Sequence, residues 1–157
     1  MVADQERTRA FYEDVIGLPL VETWCEVDDG AAYCHTFFAL ADGSALAFFQ
    51  FADAELQAKN TSKGASVYDH VALSATAEVQ QAIAERATAA GRFHTTLDHG
   101  YCVSLYVPDP DGLLVEITVD NPAAAGGAEA RRGAAHAELA RWLAGDHADN
   151  NTYRAPR

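Results

Sequence analysis

Apolar residues concentrate in seven short runs, each bounded by glycine, proline, aspartate or other turn formers. In the first half they are "LPLVETWCEV", "AAYCHTFFAL" and "SALAFFQF"; in the second, "DHVALSA", "GRFHTTLD", "YCVSLYV" and "LLVEITV". Their length and their content of β-branched and aromatic residues predict strands. Side chains alternate across a strand with a period of two. Val103, Leu105 and Val107 therefore share one face, as do Val115, Ile117 and Val119, while Cys102, Ser104, Tyr106, Leu114, Glu116 and Thr118 point the other way. Two stretches follow helical periodicity instead. One runs from about Gln5 to Val15, with Asp4 as N-cap and Gly17 as C-cap; the other, "AEVQQAIAERATAAG", ends at Gly91. A third helix is predicted over roughly Glu129 to Ala144, its stripe of Ala135, Leu139, Trp142 and Leu143 expected to bury against the domain or a partner subunit. The polar run "ADAELQAKNTSKGAS" reads as a linker or mobile loop.

The order of elements is α-β-β-β in the first half and β-α-β-β-β in the second, which makes the chain an internal repeat whose first copy lacks its opening strand. Asp42-Gly43 in "ADGSALAFF" matches Asp111-Gly112 in "PDGLLVEIT", and Asp4 matches Thr76, each just ahead of its helix. The first-half counterpart of His70 then falls before Met1, so the expectation is that the natural sequence carries an upstream strand. Without it, one sheet edge is open to pairing with another strand. The expected organisation is one domain over residues 1–121 (module one 1–52, linker 53–66, module two 67–121) and a helical tail over 122–157.

Composition narrows the partners. With 23 acidic against 11 basic residues the formal net charge is -12, a balance that repels phosphate backbones and anionic lipid surfaces and argues against nucleic acid or membrane as partner. No run approaches the roughly 18 apolar residues of a membrane-spanning helix, and nothing resembling a signal peptide opens the sequence. Cys25, Cys34 and Cys102 are odd in number and lack CxxC spacing. They are expected to be reduced thiols in a cytoplasmic protein.

Glu116 changes the picture most. A carboxylate in the middle of an otherwise apolar strand is costly unless it is paired, hydrogen-bonded or bound to metal. His70 opens the strand "HVALSA" on the face of Ala72 and Ser74, and a curved β-α-β-β-β sheet can bring it to Glu116. Imidazole plus carboxylate suits a first-row divalent ion such as Fe(II), Mn(II), Ni(II) or Zn(II). A surface histidine and a hydrogen-bonded glutamate would also satisfy the pattern, and the residues alone leave both readings open.

The motifs "RTRAFYEDVIGLPLV", "DHVALSA" and "DHGYCVSLYVPDPDGLLVEIT" closely resemble the vicinal oxygen chelate superfamily, which includes glyoxalase I, extradiol ring-cleaving dioxygenases, fosfomycin-modifying enzymes and bleomycin-binding proteins. The resemblance spans residues 1 to about 120. It implies an α+β fold of two βαβββ modules forming a cupped mixed sheet around a divalent metal, here with the first opening strand missing and a C-terminal helix added. It also implies pairing, so a homodimer is expected. By resemblance the metal ligands are His70 and Glu116, while Ala47, at the closing-strand position of module one, cannot bind metal. That pattern fits the extradiol dioxygenases, with two opening-strand histidines and one closing-strand glutamate, better than glyoxalase I. In the same branch Tyr106 would hydrogen-bond a substrate oxygen and His99, or else His94, would shuttle a proton. His35 aligns with Ser104 in the repeat. With Phe37 and Phe49 these residues are expected to line the cup as substrate-binding positions. The functions implied are an Fe(II) dioxygenase cleaving a catechol-like aromatic; a glyoxalase-type lyase, isomerase or transferase acting on vicinal oxygens; or a metal-free small-molecule-binding protein.

Overall fold

The computed structural model describes residues 1–61, 66 and 68–153. All seven predicted strands form: β1 (Leu20–Asp28), β2 (Ala31–Ala39), β3 (Ala45–Phe51), β4 (His70–Ser74), β5 (Thr95–Asp98), β6 (Cys102–Pro108) and β7 (Leu114–Asp120). They build two sheets, one antiparallel in the order β1-β2-β3, the other in the order β4-β7-β6-β5 with β4 parallel to β7. The helices are α1 (Gln5–Arg9), which continues as a π-helical segment Ala10–Ile16, then α2 (Ala54–Asn60), α3 (Ala77–Ala89), α4 (Pro122–Ala125) and α5 (Ala128–Leu143). The architecture is mixed α+β, as expected.

Local chemistry sets the helix ends. The Asp4 carboxylate accepts from Arg7 N–H, and the Thr76 hydroxyl accepts from Val79 N–H. The first helix is expected to be α-helical throughout. Its second half instead winds more widely, with Tyr12 C=O accepting from both Gly17 and Leu18 N–H. Gly17 closes it in the left-handed region at φ 90°, where a β-carbon would come within 2.9 Å of the Arg86 guanidinium. That guanidinium donates to the carbonyls of Val15 and Ile16, so α3 satisfies the end of the first helix.

The repeat is written in side-chain bonds as well as in strand order. The Gln5 amide donates to Cys34 and Phe48 C=O; the Gln80 amide donates to Val103 and Ile117 C=O, the equivalent strand positions. Both helices and the helix-facing sides of both sheets contribute to one core, with Phe11, Tyr12, Phe38, Ile83, Leu105, Val107 and Val115 almost fully buried. Within it the Tyr12 hydroxyl donates to Asp109 Oδ2 at 3.0 Å, and Asp109 Oδ1 accepts from the N–H groups of Asp111 and Leu113. The "FYxxxxG" and "DPDG" motifs thus meet in a buried bond between the halves.

Two expectations are corrected. The polar run after β3 is not all linker: Asp53 caps α2 by accepting from Glu55 and Leu56 N–H, while residues 62–65 of that run lie outside the described residues. Gln57 on α2 accepts from Phe51 N–H and donates to Val2 C=O, and Val2 N–H donates to Phe49 C=O. The outer edge of β3 is therefore partly satisfied within the chain. The stripe on α5 is not buried against the domain: Leu139, Trp142 and Leu143 are 56%, 55% and 75% exposed. The helix is held instead by polar contacts, Arg131 donating to Ala124 C=O and to the Tyr153 hydroxyl.

Candidate metal and substrate site

Parallel pairing of β4 with β7 sets Ala72 beside Glu116 and His70 beside Leu114. His70 and Glu116 alternate to the same face and meet, with Nε2 3.0 Å from Oε2. The glutamate side chain is 8% exposed and the histidine 39%. Antiparallel pairing of β6 with β7 sets Tyr106 directly opposite Glu116. The Tyr106 hydroxyl donates to Glu116 Oε1 at 2.9 Å, and His99 Nε2 lies 2.9 Å from the same hydroxyl. Since the phenol spends its one hydrogen on the carboxylate, His99 must be the donor in the second bond. The result is a chain from His99 through Tyr106 and Glu116 to His70. Burial first, then the bond to Glu116, pushes the Tyr106 phenol up to about 12, so it stays protonated near neutrality.

The His70–Glu116 contact bears on what the pair can hold. His70 Nδ1 lies 3.0 Å from Tyr68 C=O, which can only accept, so Nδ1 carries the hydrogen and a neutral ring presents its Nε2 lone pair to the carboxylate. Two acceptors face each other unless the ring is protonated or a cation lies between them. Nitrogen and oxygen donors at about 2.0–2.2 Å from a shared ion sit about 3 Å apart when they occupy adjacent positions. The donor types, the fixed tautomer and the spacing fit a divalent metal. Among the described residues no group of three or more His, Cys, Asp or Glu could hold an ion, so the described chain brings two candidate ligands together.

The other expected residues divide. His35 stacks on Phe49 at 3.6 Å between ring centroids and packs against Phe37 at 4.0 Å. With Trp24, its register partner on β1, it makes an aromatic face on the first sheet, and its buried Nε2 has no hydrogen-bond partner among the described residues. No bond among the described residues ties this face to the His99–His70 chain. Ser104 is fully buried, its hydroxyl 3.5 Å from the Cys102 thiol. A hydroxyl without open surface cannot meet a substrate, so its expected binding role is not carried by the geometry. His94 bonds the carbonyl of Arg92 and does not join the chain, which leaves His99 as the acid/base candidate. Tyr106, expected on a substrate oxygen, bonds the candidate ligand instead.

Three further groups had no mark in the sequence pattern. Tyr68 fixes the His70 ring through a backbone carbonyl. Asn121 donates to Gly100 C=O and Asn151 to His99 C=O at 3.2 Å, clamping the loop that carries His99. Asn151→Ala is expected to raise hydrogen exchange at the His99 amide about fivefold, the worth of one ordinary hydrogen bond, with the melting temperature nearly unchanged. Unchanged exchange would remove Asn151 from this role.

A mixed sheet with a histidine on its opening strand and a glutamate on its closing strand, joined to a second, matching half, defines a class of proteins built on paired modules. Residues 1–117 match the model of the Glyoxalase/Bleomycin resistance protein/Dioxygenase superfamily, and the chain belongs to that family. No curated protein matches it. Among solved structures, the fosfomycin resistance protein FosX from Listeria monocytogenes, complexed with Mn(II) and sulfate, is 20% identical with a TM-score of 0.57, covering 78% of this chain and 88% of its own. FosX from Mesorhizobium loti is 21% identical (TM-score 0.56, 78% and 87% covered). A glyoxylase/bleomycin resistance protein/dioxygenase domain from Frankia sp. EAN1pec is 16% identical (TM-score 0.59, 76% and 91% covered). At these identities the likeness concerns the fold.

Proposed function

We propose that this protein is a cytoplasmic, divalent-metal-dependent enzyme of the vicinal oxygen chelate type, a homodimer that cleaves a catechol-like aromatic with dioxygen at an Fe(II) centre. The observation that carries the reading is the continuous His99–Tyr106–Glu116–His70 chain. His70 and Glu116 would hold the ion, which when bound would activate the vicinal oxygens of the substrate. Tyr106 holds Oε1 of Glu116 and so leaves Oε2 for the ion. His99 sits one hydrogen bond behind it and can take or return a proton at Nδ1 while its Nε2–H keeps the phenol in place. The aromatic face of His35, Phe37 and Phe49 suits the ring of such a substrate.

The experiment is anaerobic loading with Fe(II), followed by admission of air to a panel of catechols and detection of the coloured ring-opened product. A second reading, a metal-dependent reaction on a non-aromatic vicinal-oxygen compound, is favoured by the FosX likeness, since one such structure holds Mn(II) and 1S,2S-dihydroxypropylphosphonic acid. Turnover only with Mn(II) and such compounds would select it. Absence of metal binding altogether would leave a small-molecule-binding protein.

On the enzyme reading, Tyr106→Phe keeps the ring but removes the link from His99 to Glu116. It is expected to retain metal and lower kcat by about 10²-fold or more, the usual worth of a general acid–base path. Loss of metal with kcat per bound ion unchanged would make Tyr106 merely a support for the ligand.

A further inference from the structure

Cys25 on β1 and Cys34 on β2 are direct cross-strand partners. Ala52 N–H donates to Ala32 C=O, and Ala39 N–H donates to Pro19 C=O. Even-numbered residues of β2 therefore turn their backbone groups to β3 and odd-numbered ones to β1. Cys25 and Cys34 thus form a non-hydrogen-bonded pair, whose Cα atoms approach to about 4.5 Å, inside the range of about 4.4–6.8 Å that a disulfide spans. Both side chains project from the same face of the sheet, and burial, then the neighbouring Cys25, raises the Cys34 thiol above its ordinary value.

The pair is also reachable, for a reason found in the repeat. In module two the amide that ties helix to sheet belongs to Gln80, a turn inside α3; in module one it belongs to Gln5, the first residue of α1. Asp4 therefore falls at the place of Val79 rather than of Thr76, the match expected from the sequence, and the first turn of α3 has no helical counterpart over module one. There the row of Cys25, Cys34 and Gln50 borders an open groove of about 340 Å³ that is also lined by Val27, Ala32 and Ala52. Cys25 is exposed, Cys34 half-buried and Cys102 buried.

We propose that Cys25 and Cys34 are a redox-active thiol pair that closes to a cross-strand disulfide by exchange with a low-molecular-weight disulfide of the glutathione type. The Cys25 thiolate attacks one sulfur of the small disulfide, breaking its S–S bond and releasing one thiol. The Cys34 thiolate then attacks the Cys25 sulfur and releases the second. Two electrons and two protons pass from the protein to the small molecule. Exposure makes Cys25 the first attacker, because burial and the neighbouring Cys25 push the Cys34 thiol up. The new bond lies on the side of the sheet opposite His35, so it ties β1 to β2 without altering that aromatic face.

The test is incubation of the folded protein with oxidised glutathione, alkylation of remaining thiols and mapping by mass spectrometry. The expected result is an intact mass lower by two hydrogen atoms, one linked peptide pair containing Cys25 and Cys34, and reversal by dithiothreitol. Cys102→Ser should close as readily as the native chain, and Cys25→Ser should not lose the two hydrogens. Glutathione retained on either cysteine without a crosslink, a bond between two chains, or both thiols still open to alkylation would overturn the proposal.

Discussion

Glu116→Ala is expected to abolish stoichiometric metal binding while the chain stays folded. The carboxylate is the anionic member of the pair, and its removal leaves His70, a half-exposed ring, as the one remaining candidate ligand among the described residues at that point. Loss of an outer-sphere partner alone costs about 10- to 100-fold in affinity, and loss of the ligand itself should exceed this. The fold also pays something, because the Tyr106 hydroxyl loses its acceptor, at a cost of about 1–3 kcal/mol. His70→Ala separates the two effects, since that side chain is more open and its removal should empty the site with little change in melting temperature. Metal analysis after anaerobic Fe(II) or Mn(II) loading, beside thermal unfolding, reads both quantities. Full metal content in folded Glu116→Ala would place the ion elsewhere and end the enzyme reading built on this face.

The second large effect lies away from the site. Asp109→Ala removes the acceptor for three donors at once, Tyr12 O–H and the amides of Asp111 and Leu113, at a side chain in a residue only 7% exposed. Hydrogen bonds to a charged group are worth about 1.5–3 kcal/mol each, and some of the lost bonds will find water. The expected destabilisation is about 3 kcal/mol or more, a drop of about 10 °C for a chain of this size. Tyr12→Phe should cost less and show its signature in alkali. Burial and the adjacent Asp109 charge hold the Tyr12 phenol well above its ordinary value of 10.0. The unfolded chain therefore releases this proton first. Its contribution to stability is full below that value and is lost as the pH climbs past it. Melting temperature against pH should fall more steeply above that point in the native chain than in Tyr12→Phe, and identical slopes would refute the assignment.

Strand positions were legible because both chemistry and period point the same way. The alternation in "YCVSLYVPDPDGLLVEIT" alone puts Tyr106 and Glu116 on one face, as the structure does. The pairing of His70 with Glu116 was legible only as a possibility, since it depends on β4 running parallel to a strand far along the chain. What was not legible depends on contacts without a pattern. Gln57 draws α2 onto the β3 edge through one amide, and nothing in a polar run marks such a residue. Ser104 shares its parity with Tyr106, but parity says which face a side chain takes, not whether that face is covered. The stripe on α5 shows the converse: an apolar helical pattern fixes a side of the helix without supplying a surface for it to meet.

The shared core has a consequence for how this repeat can be divided. Phe11 and Tyr12 from the first half are buried in the same cluster as Ile83, Leu105 and Val115 from the second, and Arg86 completes the hydrogen bonding of the first helix. Neither half encloses a core of its own. The two halves should melt as a single cooperative unit, and either half expressed alone would present its helix flank to water until it met a second copy. In such a chain duplication joined two surfaces that already needed each other, so the half-repeat is a unit of sequence but not a unit of folding.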